Sequence, residues 1–438
     1  MTKRRVVITG VGVVSSLGNG REDYFAGLLS GQIGIDRIQG FDPVGFPCQI
    51  GGEISDLQVK QHVPKAHRKA TKLMSRDIEL AVVAADLAIR DAGLQTKGTD
   101  PENPPNINPQ RSGVNVGAGL ISCDLLELGL AVEHALEKGK FNYEKWGAEG
   151  MESLTPIWLL KYLPNMLGCH ISIIHDLQGP SNSITCAEAS GLLSIGESYR
   201  IIARGNADVM VAGGAETKLT PMGLMRQCLM GRVTTQYNDR PDQACRPFDR
   251  NADGGVMGEG AGIVVLEELA HAQQRGAPIY AEVKGFGASN NFSADFVNPE
   301  SDCRGVTLAI RNALAQASLV PKEIQLLIAH GAAISEHDRA EAKGITTALG
   351  ASAQGLQVRA MKSRIANCGA ASSAMDFAAA VLALYEGKIP PNLNCPDPPD
   401  EYGLNLGNST VQQADLQTAM SCCYTYGGQT AAMVIGKV

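Results

Sequence analysis

A thiol and a carboxylate stand two residues apart in Cys186-Ala187-Glu188, directly ahead of a run of small and apolar residues, Ala189 to Ala203. That run predicts a helix apolar on nearly all faces, hence one buried between layers. A side chain held at the mouth of such a helix meets free backbone N–H groups and the positive end of the helix dipole. A thiol there has a lowered pKa and attacks carbonyls beside ready-made oxyanion donors. A carboxylate there is held ionised, favoured by roughly 0.3 to 2 kcal/mol. An imidazole is available at His330, where the buried-type strand Leu326-Leu327-Ile328-Ala329 ends at a glycine. Glu188 and His330 could therefore form an acid–base pair. Away from these, Lys65, Arg68, Lys69 and Lys72 follow Pro64 at i, i+3, i+4 and i+7. The spacing predicts one basic face of a helix, either a solvated charged face or a docking surface for an acidic partner.

The elements that must position these groups come in two similar sets. Each half opens with a strand running into glycines, Val6-Val7-Ile8-Thr9-Gly10-Val11-Gly12 and Ile279-Tyr280-Ala281-Glu282-Val283-Lys284-Gly285-Phe286-Gly287. Each later has a buried-type strand ending at a turn, Val209-Met210-Val211-Ala212-Gly213-Gly214 and Leu326 to Gly331, and each closes on another, Ile263 to Leu266 and Ala432 to Ile435. Small-residue helices are predicted at 189–203 and 374–385. Alternating strands and helices imply mostly parallel sheets covered by helices. Two such halves, 1–270 and 271–438, predict an α/β five-layer αβαβα sandwich with the inner helices in the middle. The proline-rich stretch 97–110 reads as a surface loop.

With 438 residues the chain holds two cores or one large one. A net charge of −7 argues against nucleic acid or a membrane surface as partner. The basic start Met1-Thr2-Lys3-Arg4-Arg5 passes at once into a glycine-broken strand, so a first strand is expected and not a signal peptide. No apolar run reaches the ~18 residues of a membrane span. Eleven cysteines without repeated CxxC pairs, and eight histidines without ligand spacing, fit reduced thiols in a cytoplasmic protein with no metal.

Several runs resemble the β-ketoacyl-(acyl-carrier-protein) synthases of the elongating type, which have the thiolase fold. They are Arg246-Pro247-Phe248-Asp249 to Asp253-Gly254, Gly258-Glu259-Gly260-Ala261-Gly262, Ala207 to Glu216, Ala329-His330-Gly331 and Met361-Lys362-Ser363. The likeness runs in order from Val6 to Val438. It implies a cysteine nucleophile that takes an acyl chain, and two histidines that assist decarboxylation of malonyl-carrier protein and condensation. The family's nucleophile lies seven residues after the Ser of a Gly-Pro-Ser turn and seven before an Ile-Gly pair. Counting from Gly179-Pro180-Ser181 and back from Ile195-Gly196 gives Glu188 both times. The alternative, Cys186, needs a two-residue deletion and a compensating insertion in a packed helix, which would turn the following side chains by about 200°.

By the same resemblance His330 is the first histidine, and the second is replaced by Asn367, five residues after the motif lysine Lys362. Asp376 is the partner of Lys362. Two threonines that bind the phosphopantetheine arm become Ala332 and Ile334. Tyr424 is the gating aromatic, and its hinge glycine is Thr425. The basic residues 65, 68, 69 and 72 would meet acyl carrier protein, which brings its own phosphopantetheine, so no separate cofactor is expected. Dimerisation, as a homodimer or as a heterodimer with an active ketosynthase, would extend a sheet through the strand near Asn182-Ser183-Ile184-Thr185. The resemblance thus implies a member of fatty-acid or polyketide-type biosynthesis similar to the chain-length factors, in which Glu188 replaces the nucleophile. The alternatives are a malonyl-carrier-protein decarboxylase, or an active 3-oxoacyl-(acyl-carrier-protein) synthase using Cys186 and His330.

Overall fold

A strand covered on both faces has no solvent side on which to alternate, and β1 (Val6–Ser15) is buried along its whole length. The computed structural model describes residues 4–291, 293, 297–407 and 409–438, so Met1, Thr2 and Lys3 of the basic amino-terminal stretch lie outside the described residues. After β1 come α1 (Arg76–Asp91), β2 (Ser112–Ala118), α2 (Met166–His175), β3 (Ser181–Ile184), α3 (Ser190–Ala203), β4 (Val209–Thr217) and β5 (Glu259–Glu268). The order then repeats with β6 (Ala281–Asn290), α4 (Arg304–Ala317), β7 (Leu326–Ile328), α5 (Ser335–Leu349), β8 (Gln357–Arg359), α6 (Ser372–Glu386), β9 (Thr418–Tyr424) and β10 (Gln429–Gly436).

Strand order follows the same repeat. Read outward from the junction, β1-β5-β4-β2-β3 mirrors β6-β10-β9-β7-β8. In each set the two pairings nearest the junction are antiparallel and the two outer ones parallel. The sets meet through a short antiparallel contact, Val7 with Glu282 and Ile8 with Ala281. Three hydrophobic clusters fill the layers. One joins α1 and α2 to β2, β4 and β5, and a second joins α4 and α5 to the strands of the other half. The third packs α3 and α6 between the two sheets. The result is the five-layer sandwich, and α6 is buried from Ser372 to Leu384 because it has sheet above, sheet below and α3 beside it.

The middle layer is tight enough that glycine is required where backbone meets backbone. A Cβ on Gly214 of β4 would lie 2.3 Å from the carbonyl oxygen of Ala370, in the turn leading into α6. Neither strand nor turn can move without disturbing a layer. Gly214→Ala is therefore expected to cost about 1–3 kcal/mol or more, read as a lowered urea midpoint with an unchanged m-value.

The basic segment departs from expectation. Lys65–Leu73 is a 3₁₀ helix, not an α-helix. At three residues per turn Lys65 and Arg68 share one row, while Lys69 and Lys72 share another about 120° away. The four side chains are exposed in two rows and do not form one stripe. β3 lies at the end of the strand order, and its residues are exposed or half-buried.

Candidate functional site

The entry to α3 is a single 3₁₀ turn, Ala187–Ala189. Ala187 adopts φ 42°, a left-handed conformation that costs a non-glycine residue about 1–3 kcal/mol. Ser190 holds the turn in place. Its Oγ accepts from the Cys186 N–H at 2.7 Å and donates to the Ala187 carbonyl at 2.6 Å. Cys186 stays half-buried, and burial pushes its thiol up. Glu188 turns inward and is 1% exposed.

Glu188 is ion-paired there with a residue the sequence did not bring forward. Its Oε1 accepts from Arg232 Nη2 at 2.8 Å and from Asn367 Nδ2 at 3.3 Å. Arg232 Nη1 donates to Gln227 at 3.0 Å, and the guanidinium lies 4.3 Å from the centre of the Tyr426 ring. Burial by itself would raise the Glu188 pKa, but Arg232, supported by Lys218, holds it well below the usual carboxylate range. Lys218 is a second nearby cation, paired with Glu216, whose other oxygen accepts from the Ala370 N–H at 2.7 Å. The pairing has a clear physical cause: a buried carboxylate is tolerated only when paired and hydrogen-bonded.

His330 sits just beyond the end of β7. Its carbonyl accepts from Lys362 Nζ at 2.6 Å, and the same ammonium donates to Asp376 at 2.9 Å. Glu341 accepts the backbone N–H groups of His330 and Gly331 at 2.7 and 2.8 Å, which fixes the loop. Burial, then Lys362, push the imidazole well below its ordinary pKa, so it is neutral at physiological pH. The sulfur of Cys423 lies 3.3 Å from His330 Nδ1 and 3.3 Å from the Glu188 carbonyl oxygen. A cysteine beside a histidine suggests a displaced nucleophile. Burial pushes this thiol far above its usual range, however, so it is un-ionised and serves as a hydrogen-bond donor.

The structure thus brings Glu188, His330, Asn367, Lys362 and Asp376 into one buried cluster. Asn367 Oδ1 accepts from the Gly369 N–H at 3.0 Å and from Ser372 Oγ at 3.1 Å. Its amide donor, which could have faced a thioester carbonyl, is directed at Glu188. Tyr424 stacks edge-on to His330 with ring centres 4.8 Å apart and donates its hydroxyl to the His337 carbonyl at 3.1 Å. Thr425 is buried in the β9–β10 turn, its N–H donating to the Gln429 carbonyl at 2.9 Å. Tyr424→Phe removes the hydroxyl tie and is expected to lower stability by about 1 kcal/mol, seen as a small drop in Tm. Two surface clefts of ≈ 740 and ≈ 540 Å³ share Gly40, Arg76, Thr217, Leu219 and Thr220, and neither is lined by Glu188, His330, Asn367 or Lys362.

Residues 3–272 match the family model for the β-ketoacyl synthase N-terminal domain, and residues 280–396 match that for the C-terminal domain. The chain belongs to the β-ketoacyl synthase family. It is 33% identical over 438 residues to the 3-oxoacyl-[acyl-carrier-protein] synthase 2 of Coxiella burnetii, with 100% of each chain covered. A β-ketoacyl synthase from Burkholderia phymatum superposes with a TM-score of 0.86 at 28% identity, covering 99% of this chain and 100% of that one. The ishigamide ketosynthase/chain length factor superposes at 0.82, also at 28% identity, with both chains covered in full. Within this β-ketoacyl synthase framework, three residues of the centre went unread in the sequence: Arg232, Lys218 and Cys423. Arg232 is forty-four positions from Glu188 and carries no local motif. A signal did exist for Lys218, a cation placed two residues after the Glu216 motif where a buried acid nearby needs one.

Proposed function

We propose that the chain is a non-condensing, chain-length-factor-like subunit that partners an active ketosynthase in fatty-acid or polyketide-type lipid biosynthesis. The observation that carries this reading is the buried Glu188–Arg232 ion pair at the place where the family resemblance puts the nucleophile. A carboxylate cannot hold an acyl group as a stable thioester does, since an anhydride would hydrolyse or transfer back. The surroundings reinforce it. Gln227, Arg232 and Glu188 form a hydrogen-bonded polar group that penalises an alkyl chain laid against it. Ala332 and Ile334 supply no side-chain donors for a phosphopantetheine arm. An active enzyme built on Cys186 would need that thiol to reach His330, whereas the thiol that lies against His330 Nδ1, at 3.3 Å, is that of Cys423.

Decarboxylation of malonyl-carrier protein is disfavoured on electrostatic grounds. An ionised Glu188 repels a developing enolate, while Arg232 stabilises a substrate carboxylate in the ground state. For partnering, the open edge of β3 lies in a chain that also exposes Leu126 (84%), Tyr143 (84%), Ile157 (58%), Leu159 (58%) and Ile173 (60%), an apolar inventory suited to covering by another subunit. The exposed Lys65, Arg68, Lys69 and Lys72 remain the candidate site for an acidic carrier protein.

The test uses radiolabelled acyl-carrier protein and malonyl-carrier protein, with the chain alone and with a co-expressed candidate synthase. The isolated chain is expected to take no label and release no carbon dioxide. The pair is expected to co-purify, and the chain to alter the product length set by the synthase. Label held on the isolated chain rejects the proposal, and carbon dioxide without condensation selects the decarboxylase.

A further inference from the structure

We infer that Arg232 is the residue that closes this centre, so that access to His330 and Asn367 is governed by position 232 and not by position 188. The inference rests on the reading of Glu188 as a substituted nucleophile position and adds a role that reading does not contain.

Arg232 stands where four segments converge. It follows the helix Pro221–Leu229, and its N–H returns to the Gln227 carbonyl at 3.1 Å. Its own carbonyl accepts from the Gly255 N–H at 2.9 Å, and neighbouring Gly254 donates to the Ala333 carbonyl at 3.1 Å, three residues beyond His330. Its side chain then spans from Glu188, at the mouth of α3, to the Tyr426 ring in the β9–β10 turn. One planar cation thus ties together the loop after β4, the 254–255 turn, the 3₁₀ turn that carries Glu188 and the β9–β10 turn that carries Tyr426.

The side chain is 4% exposed, so the guanidinium fills interior space. The Tyr426 ring it faces lies two residues after Tyr424, which packs edge-on against His330, and its charge adds to burial and Lys362 in depressing the basicity of His330, and to burial in depressing that of His337. A flat guanidinium clamped between a carboxylate and an aromatic face has little freedom to swing aside. Replacing Glu188 alone leaves the Tyr426 and Gln227 contacts intact, and so leaves the arginine where it is.

The experiment compares Glu188→Cys, Glu188→Cys/Arg232→Lys and Glu188→Cys/Arg232→Ala, none of which leaves an unpaired carboxylate at 188. Iodoacetamide is the probe, and peptide mass spectrometry separates the introduced thiol from the native ones. Rates are measured against pH, because the limiting rate at high pH reports access whereas the midpoint reports nearby charge. Closure by Arg232 predicts slow alkylation in the single variant and a limiting rate about tenfold or more higher in both double variants. The midpoint is expected to stay low in the single and Lys variants and to rise in the Ala variant. The Lys variant keeps the cation and carries the test if the Ala variant does not fold. Equal fast rates in all three overturn the inference, and so do equal slow rates. Neither result touches the non-condensing reading, which the label-transfer assay decides.

Discussion

Arg232→Met by itself is expected to destabilise the protein by about 3–5 kcal/mol, and Glu188→Gln/Arg232→Met to recover most of that loss. The single variant leaves the Glu188 carboxylate 1% exposed, with only Asn367 at 3.3 Å as a donor to Oε1. The double variant leaves neutral groups that can pack. Urea unfolding of the two singles and the double gives the coupling energy directly.

The pH dependence has a definite sign. In the native protein the Glu188 pKa is depressed, so its contribution is fully present above the unfolded glutamate value of about 4.3 and is lost as pH falls toward the folded value. In Arg232→Met burial is opposed far less and the pKa rises. Whatever stability remains is then greatest below about 4.3 and declines as pH rises through the new folded value. The gap between native and variant should therefore be widest near neutral pH and shrink on acidification. A gap that stays constant from pH 8 down to about pH 3, below the unfolded glutamate value of about 4.3, would refute the ion-pair account.

Lys362→Met should have an effect of similar size, about 3–5 kcal/mol, at the other end of the centre. Lys362 and Asp376 have side chains 1% and 0% exposed, so removing the ammonium strands a carboxylate in the middle layer. It also removes the donor to the His330 carbonyl. Burial opposes the charge of Lys362, but Asp376 more than restores it, and the ammonium titrates above its ordinary range. Lys362→Met/Asp376→Leu is expected to regain much of the stability. A second readout is specific to the site. Burial is the first cause of the depressed His330 pKa and Lys362 the next, so His330 in the charge-free double variant should titrate higher, though still below 6.5, by NMR. An unchanged titration would show that Lys362 acts on the fold alone.

Much of the architecture was legible because it depends on local pattern. Runs such as Val6 to Ile8 and Leu326 to Ile328 lack polar alternation, as strands covered on both faces must. The small residues of 374–385 announced a helix with no solvent side, and Ser372–Glu386 is that helix. The repeated order of elements announced two similar halves. The segment after Pro64 was misread as an α-helix. Its charges were counted correctly, but no residue of Lys65–Leu73 is buried, so no packing signal was available to reveal its tighter pitch.

The candidate site divides along the same line. Which side chain enters the mouth of α3 was set by chain spacing on either side of Glu188, and the Ser190 tie holds the turn that carries it. What neutralises that carboxylate was a question of tertiary structure. Arg232 reaches the Glu188 carboxylate from a distant loop and is itself packed against Tyr426, while Cys423 reaches the Glu188 backbone carbonyl from a strand, and the Arg232 pairing is what makes the charge tolerable. Periodicity along a chain records which faces are buried. It holds no record of which buried charge meets which, because that pairing arises only when separate layers close on one another.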